Sequence, residues 1–387
     1  MVNVNGHPAG EQSQSSADLQ LKSRVGDHDI FQFHTRDGVV SPDSFRTSEL
    51  RLLDVLADES PETLLVPNAN YGVVGVVMAA FCDAVWLTET SARAAQLCRY
   101  NAIHNQMAET TSIALTADLR ALPTTVDAVA LAPAAYEPNE VVNQRIADAL
   151  SVLKPDGTCY LSTSQTAGLS HYRETLQELC DDMTVVDDQG NDVTLRANRP
   201  ESLDPPQYAA PNLITPSING VDLSLVTYPG LFSASELDEG TRTLARSLEI
   251  SDGESVLDLG CGYGPLGLYI AQKSECDVTI SDDNCIATAC ASLSADKMDV
   301  SLQNEITADA VSGVRNQRFD RIVCNPPTHA GSGVLHDMIR GASKVLRDGG
   351  QMQLVHHKGV DFAKYIEPYF EAIDSVSEGN YSIVTVN

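Results

Sequence analysis

Asn325, Pro326 and Pro327 follow an apolar run, Phe319 to Cys324, in the stretch FDRIVCNPPTHAG. Proline fixes φ and carries no N–H, so the Asn side-chain carbonyl and the Pro326 backbone carbonyl can converge on one point. Two acceptors aimed at one exocyclic NH2 would hold its nitrogen lone pair towards an electrophile. Such an arrangement suits N-methylation, where positioning supplies much of the rate. Alone, Asn-Pro-Pro is better read as a proline-rich turn; its neighbours give it weight. VLDLGCGYGPLG ends an apolar run at Asp258 and continues through Gly260, Gly262 and Gly264 into a helical pattern. Glycines at a strand-to-helix turn let the backbone approach a ligand, and the helix N-terminus adds donors. The turn by itself also fits dinucleotide binding. Asp258, however, precedes the glycines, where a carboxylate can receive an ammonium group, and this favours a ligand with an amino acid moiety over a bare pyrophosphate. CDVTISDD ends the next strand pattern at Asp282, about 20 residues on, where an acid can take two ribose hydroxyls. Capping the following helix is its other reading. ITADAV offers Asp309 at a third strand end, facing an adenine amino group or standing as one more loop acid in an acidic chain.

These residues need a scaffold that brings several strand ends together. The chain repeats itself at a lag of about 193 residues, a duplication signature. Thr63 to Glu89 lines up with Ser255 to Asp283 through a shared Tyr-Gly-x-x-Gly core, Val126 to Glu140 with Phe319 to Gly333, and Ala149 to Thr163 with Ala342 to His356. Each half alternates short β-branched runs with helical patterns, as in an α/β sheet covered by helices on both faces. Residues 1–27 are polar and read as a flexible N-terminal segment, 28–197 as a first domain, 198–213 as a proline-rich linker, and 214–387 as a second domain.

The first copy lacks the chemistry of the second. The strand-end acid is Val66, two loop glycines are Asn68 and Asn70, and the Asn-Pro-Pro stretch has become Ala132-Pro133-Ala134-Ala135-Tyr136. It reads as a degenerate, non-catalytic domain that docks RNA or stabilises its partner.

Composition bounds the partners. With 25 basic and 53 acidic residues the formal net charge is −28, and only seven of the basic residues are Lys. Such a surface resembles that of proteins from salt-loving organisms, where salt screens self-repulsion. It argues against a broad basic stripe for nucleic acid; Arg315, Arg318 and Arg321, just upstream of Asn325, are the one local cluster near the site. Nine cysteines with no CxxC pair read as reduced thiols in a cytoplasm. No apolar run reaches the roughly 20 residues that span a bilayer. Neither a membrane nor a metal is expected, and a monomer is.

With these motifs in order, the second half resembles the S-adenosylmethionine-dependent methyltransferases of the "small" domain type, above all the two-domain guanine-N2 methyltransferases of ribosomal RNA. The resemblance runs from about Tyr228 to the C-terminus and includes YPGLFSASELDEGTRTL, VLDLGCGYGPLG, NPPTHAG and IRGASKVLRDGG. It implies two tandem Rossmann-like domains with seven-stranded mixed sheets, the N-terminal copy having lost catalysis. It also implies S-adenosylmethionine as cofactor and ribosomal RNA or the small subunit as partner. By the same resemblance Phe232 and Asp238 lie against the cofactor's methionine end, Asp258, Gly260, Gly262 and Gly264 bind it, Asp282 holds the ribose and Asp309 the adenine. Asn325 with Pro326 receives the target amine, Pro327 and His329 stand with them as catalytic residues, and Asn325 also counts among the cofactor-binding ones. The family places an aromatic ring after Asn-Pro-Pro, to stack on a flipped base; here that place is Thr328. His329 matches the family's His and could supply a smaller π face, or be a strand-end His bonded to a loop carbonyl. The change at Thr328 leaves other acceptors open: adenine N6, a small molecule or a protein amide. An inactive RNA-binding or assembly factor is the alternative of another class.

Overall fold

The apolar runs become strands because each is flanked by polar or glycine-bearing breaks and is too short for a helix. A computed structural model describes residues 16–22, 30–371 and 373–387. Two units, Met1–Ala209 and Ala210–Asn387, divide the chain, and no helix or strand lies between Asn198 and Asn212.

The first unit begins with β1 (Ser16–Lys22) and β2 (Ile30–Arg36), paired antiparallel. Here the expectation of a flexible segment over 1–27 is corrected for residues 16–22: Leu19 and Leu21, alternating with Asp18, Gln20 and Lys22, turn one face into the core. The rest of that segment lies outside the described residues. There follow α1 (Thr47–Glu59), β3 (Thr63–Pro67), α2 (Val73–Met78), β4 (Ala84–Glu89), α3 (Ala92–His104), β5 (Thr111–Leu115), β6 (Val126–Leu131), α4 (Asn139–Val152), β7 (Leu153–Ser164), α5 (Leu169–Leu179), β8 (Met183–Gln189) and β9 (Asp192–Asn198). Seven strands form one sheet in the order β5-β4-β3-β6-β7-β9-β8.

The second unit repeats this plan. Short pairings of β10 (Asn212–Ile214), β11 (Ser217–Ile218), β12 (Val221–Asp222) and β13 (Leu225–Thr227) precede α6 (Glu239–Ser247), β14 (Ser255–Leu259), α7 (Pro265–Lys273), β15 (Asp277–Asp282), α8 (Cys285–Met298), β16 (Asn304–Thr307), β17 (Phe319–Cys324), α9 (Ser332–Val345), β18 (Leu346–His357), α10 (Ala363–Ile366), β19 (Ile373–Glu378) and β20 (Tyr381–Val386). Its sheet has the order β16-β15-β14-β17-β18-β20-β19. The first five are parallel, and β20 and β19 close the edge antiparallel. This is the seven-stranded mixed sheet expected, present twice.

Both faces of the second sheet are covered. Val256 of β14 packs into one apolar layer with α6, α7 and α8, whereas Leu257 and Leu259 enter the other with α9 and Phe319. Alternation along β14 therefore sends Asp258 to the same side as Val256, towards α7.

Candidate functional site

Connections from β14 lead to β15 on one side and from β17 to β18 on the other, so the strand order reverses between β14 and β17. In an open α/β sheet the crevice at the carboxyl ends beside such a reversal is where ligands bind. Asp258 stands near the end of β14, Asp282 ends β15, Asp309 follows β16 by two residues and Asn325 follows β17 by one. Four sequence-predicted residues thus come from four neighbouring strand ends.

Asp258 is fully buried. Its Oδ2 accepts from the Gly267 N–H at 2.7 Å, while Oδ1 has no partner. Gly267 is required by a close approach: a Cβ there would stand 2.6 Å from the Ile280 side chain, and its absence lets α7 bring a backbone donor to the acid. Burial pushes the Asp258 carboxyl up to about 7, against the Gly267 hydrogen bond and with the nearby Asp282 charge adding to the rise. Asp282 clamps the glycine turn. Its Oδ2 accepts from Gly262 N–H at 2.8 Å and its Oδ1 from Asn284 N–H at 2.8 Å. The surrounding protein lifts this carboxyl to about 6, with those donors opposing. Gly260, Gly262 and Gly264 have φ of 72°, 55° and 87°. At Gly262 a Cβ would meet nothing within 4 Å, so the turn presents open backbone beside a buried, half-satisfied carboxylate. A group bearing an ammonium and flanking hydroxyls fits these residues.

Asn325 is held from one side. Its Nδ2 donates to Asp238 Oδ2 at 2.9 Å and to Thr241 Oγ1 at 2.8 Å. Asp238 also caps α6, accepting from Thr241 N–H at 2.7 Å, a contact worth about 0.5–2 kcal/mol to a helix. Pro326 is buried, Pro327 and His329 are exposed and Thr328 is intermediate. His329 bonds no loop carbonyl among the described residues. Phe232 is 66% exposed, and the carbonyl of its neighbour Ser233 accepts from Tyr263 Oη at 3.2 Å. No group of three or more metal-ligating side chains occurs among the described residues, and no helix there is long and apolar enough to cross a membrane.

The model of the methyltransferase small domain matches residues 30–194 and again 222–385, one copy in each unit. The chain belongs to the methyltransferase small domain family. Among relatives, ribosomal RNA small subunit methyltransferase C of Hahella chejuensis is 34% identical over 152 residues, 38% of this chain and 44% of that protein. Ribosomal RNA large subunit methyltransferase G of Aeromonas hydrophila is 29% identical over 175 residues, 43% of this chain and 46% of that protein. These matches span about half the length of the curated relatives or less. A solved T. thermophilus 16S rRNA N2 methyltransferase, in complex with AdoMet and guanosine, shares the fold at a TM-score of 0.80 and 22% identity, over 99% of this chain and 97% of that one.

Within this family fold, the first unit shows what fills a site that carries no Asn-Pro-Pro. Arg46, before α1, stands where Asp238 stands before α6. Its guanidinium donates to the Ala132 carbonyl at 2.8 Å and the Pro133 carbonyl at 3.5 Å, the counterparts of Asn325 and Pro326. Glu49 at 2.9 Å neutralises it. Asn68 and Asn70 adopt φ of 48° and 62°, as the glycines do, but their side chains are used: Asn68 on Glu137 at 3.3 Å and Asn70 on Val40 at 2.9 Å. Glu89 keeps the place of Asp282 and still accepts from a loop N–H, that of Asn70. Burial pushes its carboxyl up to about 8.

The arginine cluster is a correction. Arg321 lies near the start of β17, the end opposite Asn325, and pairs with Glu254 at 3.2 Å. Arg318 donates to the carbonyls of Arg315 and Gln317. Sequence reasoning missed Thr241, Gly267 and Arg46. For Thr241 a partial signal existed: Asp238 is an N-cap residue type with a Glu directly after it, at the start of the helical stretch that holds Thr241.

Proposed function

We propose that this chain transfers a methyl group from S-adenosylmethionine to the exocyclic amine of a base in structured RNA, guanine N2 of small-subunit ribosomal RNA, in the cytoplasm and as a monomer. The observation that carries the reading is the second-unit constellation: a buried acid with one unpartnered oxygen, an acid clamping an open glycine turn, and an Asn-Pro-Pro whose amide nitrogen is taken up by Asp238 and Thr241. The relatives' names point to the same chemistry.

When bound, the cofactor supplies an electrophilic methyl on a sulfonium. Asp258 receives the ammonium of its amino acid end and Asp282 the ribose hydroxyls, while Asp309 accepts from the adenine amine. Phe232 lines the methionine end. Asn325 Oδ1 and the Pro326 carbonyl each accept one hydrogen of the target amine, which aims its lone pair away from both acceptors. No covalent intermediate is needed, and the departing proton has His329 and solvent near the mouth. The first unit, with its cleft filled by Arg46, docks RNA or stabilises the second.

The test is a modification map of small- and large-subunit ribosomal RNA, by primer extension and mass spectrometry, from cells with and without the gene. One N2-methylguanine is expected to vanish from the small-subunit RNA and to return when the purified chain and cofactor are added. An unchanged map of both RNAs would sink the reading, and loss of an N6-methyladenine would replace guanine by adenine as acceptor.

A further inference from the structure

The side-chain amide of Asn has a broad, roughly two-fold terminal torsion, so its oxygen and nitrogen exchange places unless something outside distinguishes them. In this chain both amide hydrogens of Asn325 are used, one on Asp238 Oδ2 at 2.9 Å and the other on Thr241 Oγ1 at 2.8 Å. A carboxylate has no hydrogen to give, so the flipped amide would set two acceptors against each other. The Thr241 hydroxyl cannot rescue the flip, because its hydrogen is directed to Asp238 Oδ2 at 3.2 Å. Asp238 is itself fixed, since the same oxygen caps α6 at Thr241 N–H. Gly240 leaves it room: a Cβ there would lie 3.0 Å from Asp238 Oδ2 and 2.9 Å from the Tyr381 ring.

We propose that Asp238 and Thr241 are positioning residues that lock the Asn325 amide with Oδ1 presented to the substrate amine. The proposal rests on the reading of Asn325 as an amine acceptor, and it gives Asp238 a task other than contact with the cofactor. The first unit supports it independently. Arg46 and Glu49 hold the places of Asp238 and Thr241, and Arg46 reaches the carbonyls of Ala132 and Pro133. The residue before this helix meets the strand end in both copies, Arg46 at the carbonyls of Ala132 and Pro133 and Asp238 at the amide of Asn325; what differs is the sign of its hydrogen bonding. An acceptor there orients an amide, and a donor there covers the carbonyls.

The experiment uses the full chain and the variants Asp238→Ser, Asp238→Asn, Thr241→Val and Asn325→Ala. Serine still caps the helix but is too short to reach Asn325. Asparagine keeps an oxygen at the Oδ2 position, because Thr241 N–H demands one there, and so retains the lock. Asp238→Ser and Thr241→Val are expected to lower kcat about tenfold or more, as misaligned reacting groups do, with the KM for S-adenosylmethionine nearly unchanged. Asp238→Asn should lose several-fold less than Asp238→Ser, and Asp238→Ser should cost nothing further in the Asn325→Ala background. In a chain carrying 15N-labelled asparagine, the Asn325 side-chain NH2 signal, assigned by its absence in Asn325→Ala, should exchange slowly with solvent in wild type and fast in Asp238→Ser. An Asn325 signal unmoved by Asp238→Ser, or losses that add in the double variant, would overturn the positioning role. A signal that moves in a chain methylating no RNA at all would keep the lock and remove the methyl-transfer reading instead.

Discussion

Replacing Asp258 by Asn measures the cost of keeping an ionised acid at the centre of the second unit. In the folded chain burial holds the Asp258 proton up to about 7, against 3.8 for an ordinary side chain. An acid whose pKa is raised by folding binds its proton more tightly in the native state. Its contribution is therefore complete below about pH 4, shrinks as pH rises, and is gone above about pH 7. The three-unit difference corresponds to about 4 kcal/mol. Asparagine keeps the shape and can keep the acceptor for Gly267 N–H, but it places an NH2 where Oδ1 finds no partner, at a cost of about 1–3 kcal/mol. The variant should then be the less stable protein near pH 4 and the more stable one at pH 8, the gap moving by about 1.4 kcal/mol per pH unit between. Urea unfolding followed by circular dichroism across this range reads the effect. The chain's single tryptophan, Trp86 in β4 of the first unit, gives an internal control whose transition should not differ between the two proteins. Parallel pH profiles for wild type and variant would show that Asp258 ionises without penalty and refute the burial argument.

Asn325→Ala should slow methyl transfer about a hundredfold, to a residual rate that long incubation still reads, while changing S-adenosylmethionine affinity by no more than a few fold; transfer near the wild-type rate would remove Asn325 from the mechanism. Calorimetry should find one S-adenosylmethionine per chain, because Arg46 and the asparagine side chains fill the first-unit cleft, and a second site would contradict that account. Arg46→Ala, which leaves Glu49 buried without its partner, should destabilise the first unit by about 3–5 kcal/mol, seen in the Trp86 transition. Cofactor binding near pH 6 should release protons, since Asp258 and Asp282, raised to about 7 and about 6, must ionise to meet an ammonium and accept from hydroxyls; equal heats in buffers of different ionisation enthalpy would exclude it. With a net charge of −28, the chain should gain stability from 0.1 M to molar potassium chloride as the Debye length falls from about 10 Å to about 3 Å, and a flat salt profile would speak against salt adaptation.

The positions of Asp258, Asp282 and Asn325 were legible because each stands at the end of an apolar run, and a parallel sheet gathers such ends on one edge. Asp238 was legible as a residue but not as a partner. The bonds from Asn325 to Asp238 and Thr241 join positions 87 and 84 residues apart, a separation that local pattern does not register. The arginines upstream of Asn325 failed for the complementary reason. Adjacency in a strand is distance in space: at about 3.3 Å per residue, the four positions from Arg321 to Asn325 put about 13 Å between the arginine and the carboxyl end of the strand. Strand β1 was hidden by the polarity of its surroundings, two leucines being too few to announce a buried face.

In the first unit the repeat made the missing acid and amide visible, but what replaced them comes from elsewhere in the chain. Arg46 with Glu49 covers the counterparts of Asn325 and Pro326, Glu137, paired with Arg145 at 2.6 Å, holds Asn68 of the former glycine turn, and buried, apolar Val66 stands where the second unit leaves an unpartnered carboxylate oxygen. Breaking such a pair is costly, whereas leaving Asp258 half-satisfied is a penalty that a ligand can relieve. The first unit is therefore complete without a ligand, and the second is not. S-adenosylmethionine should accordingly raise the unfolding midpoint of the second unit by mass action and leave the Trp86 transition where it was. A second S-adenosylmethionine bound per chain, with the Trp86 transition shifted alongside, would mean that the first-unit cleft is not closed by its own side chains.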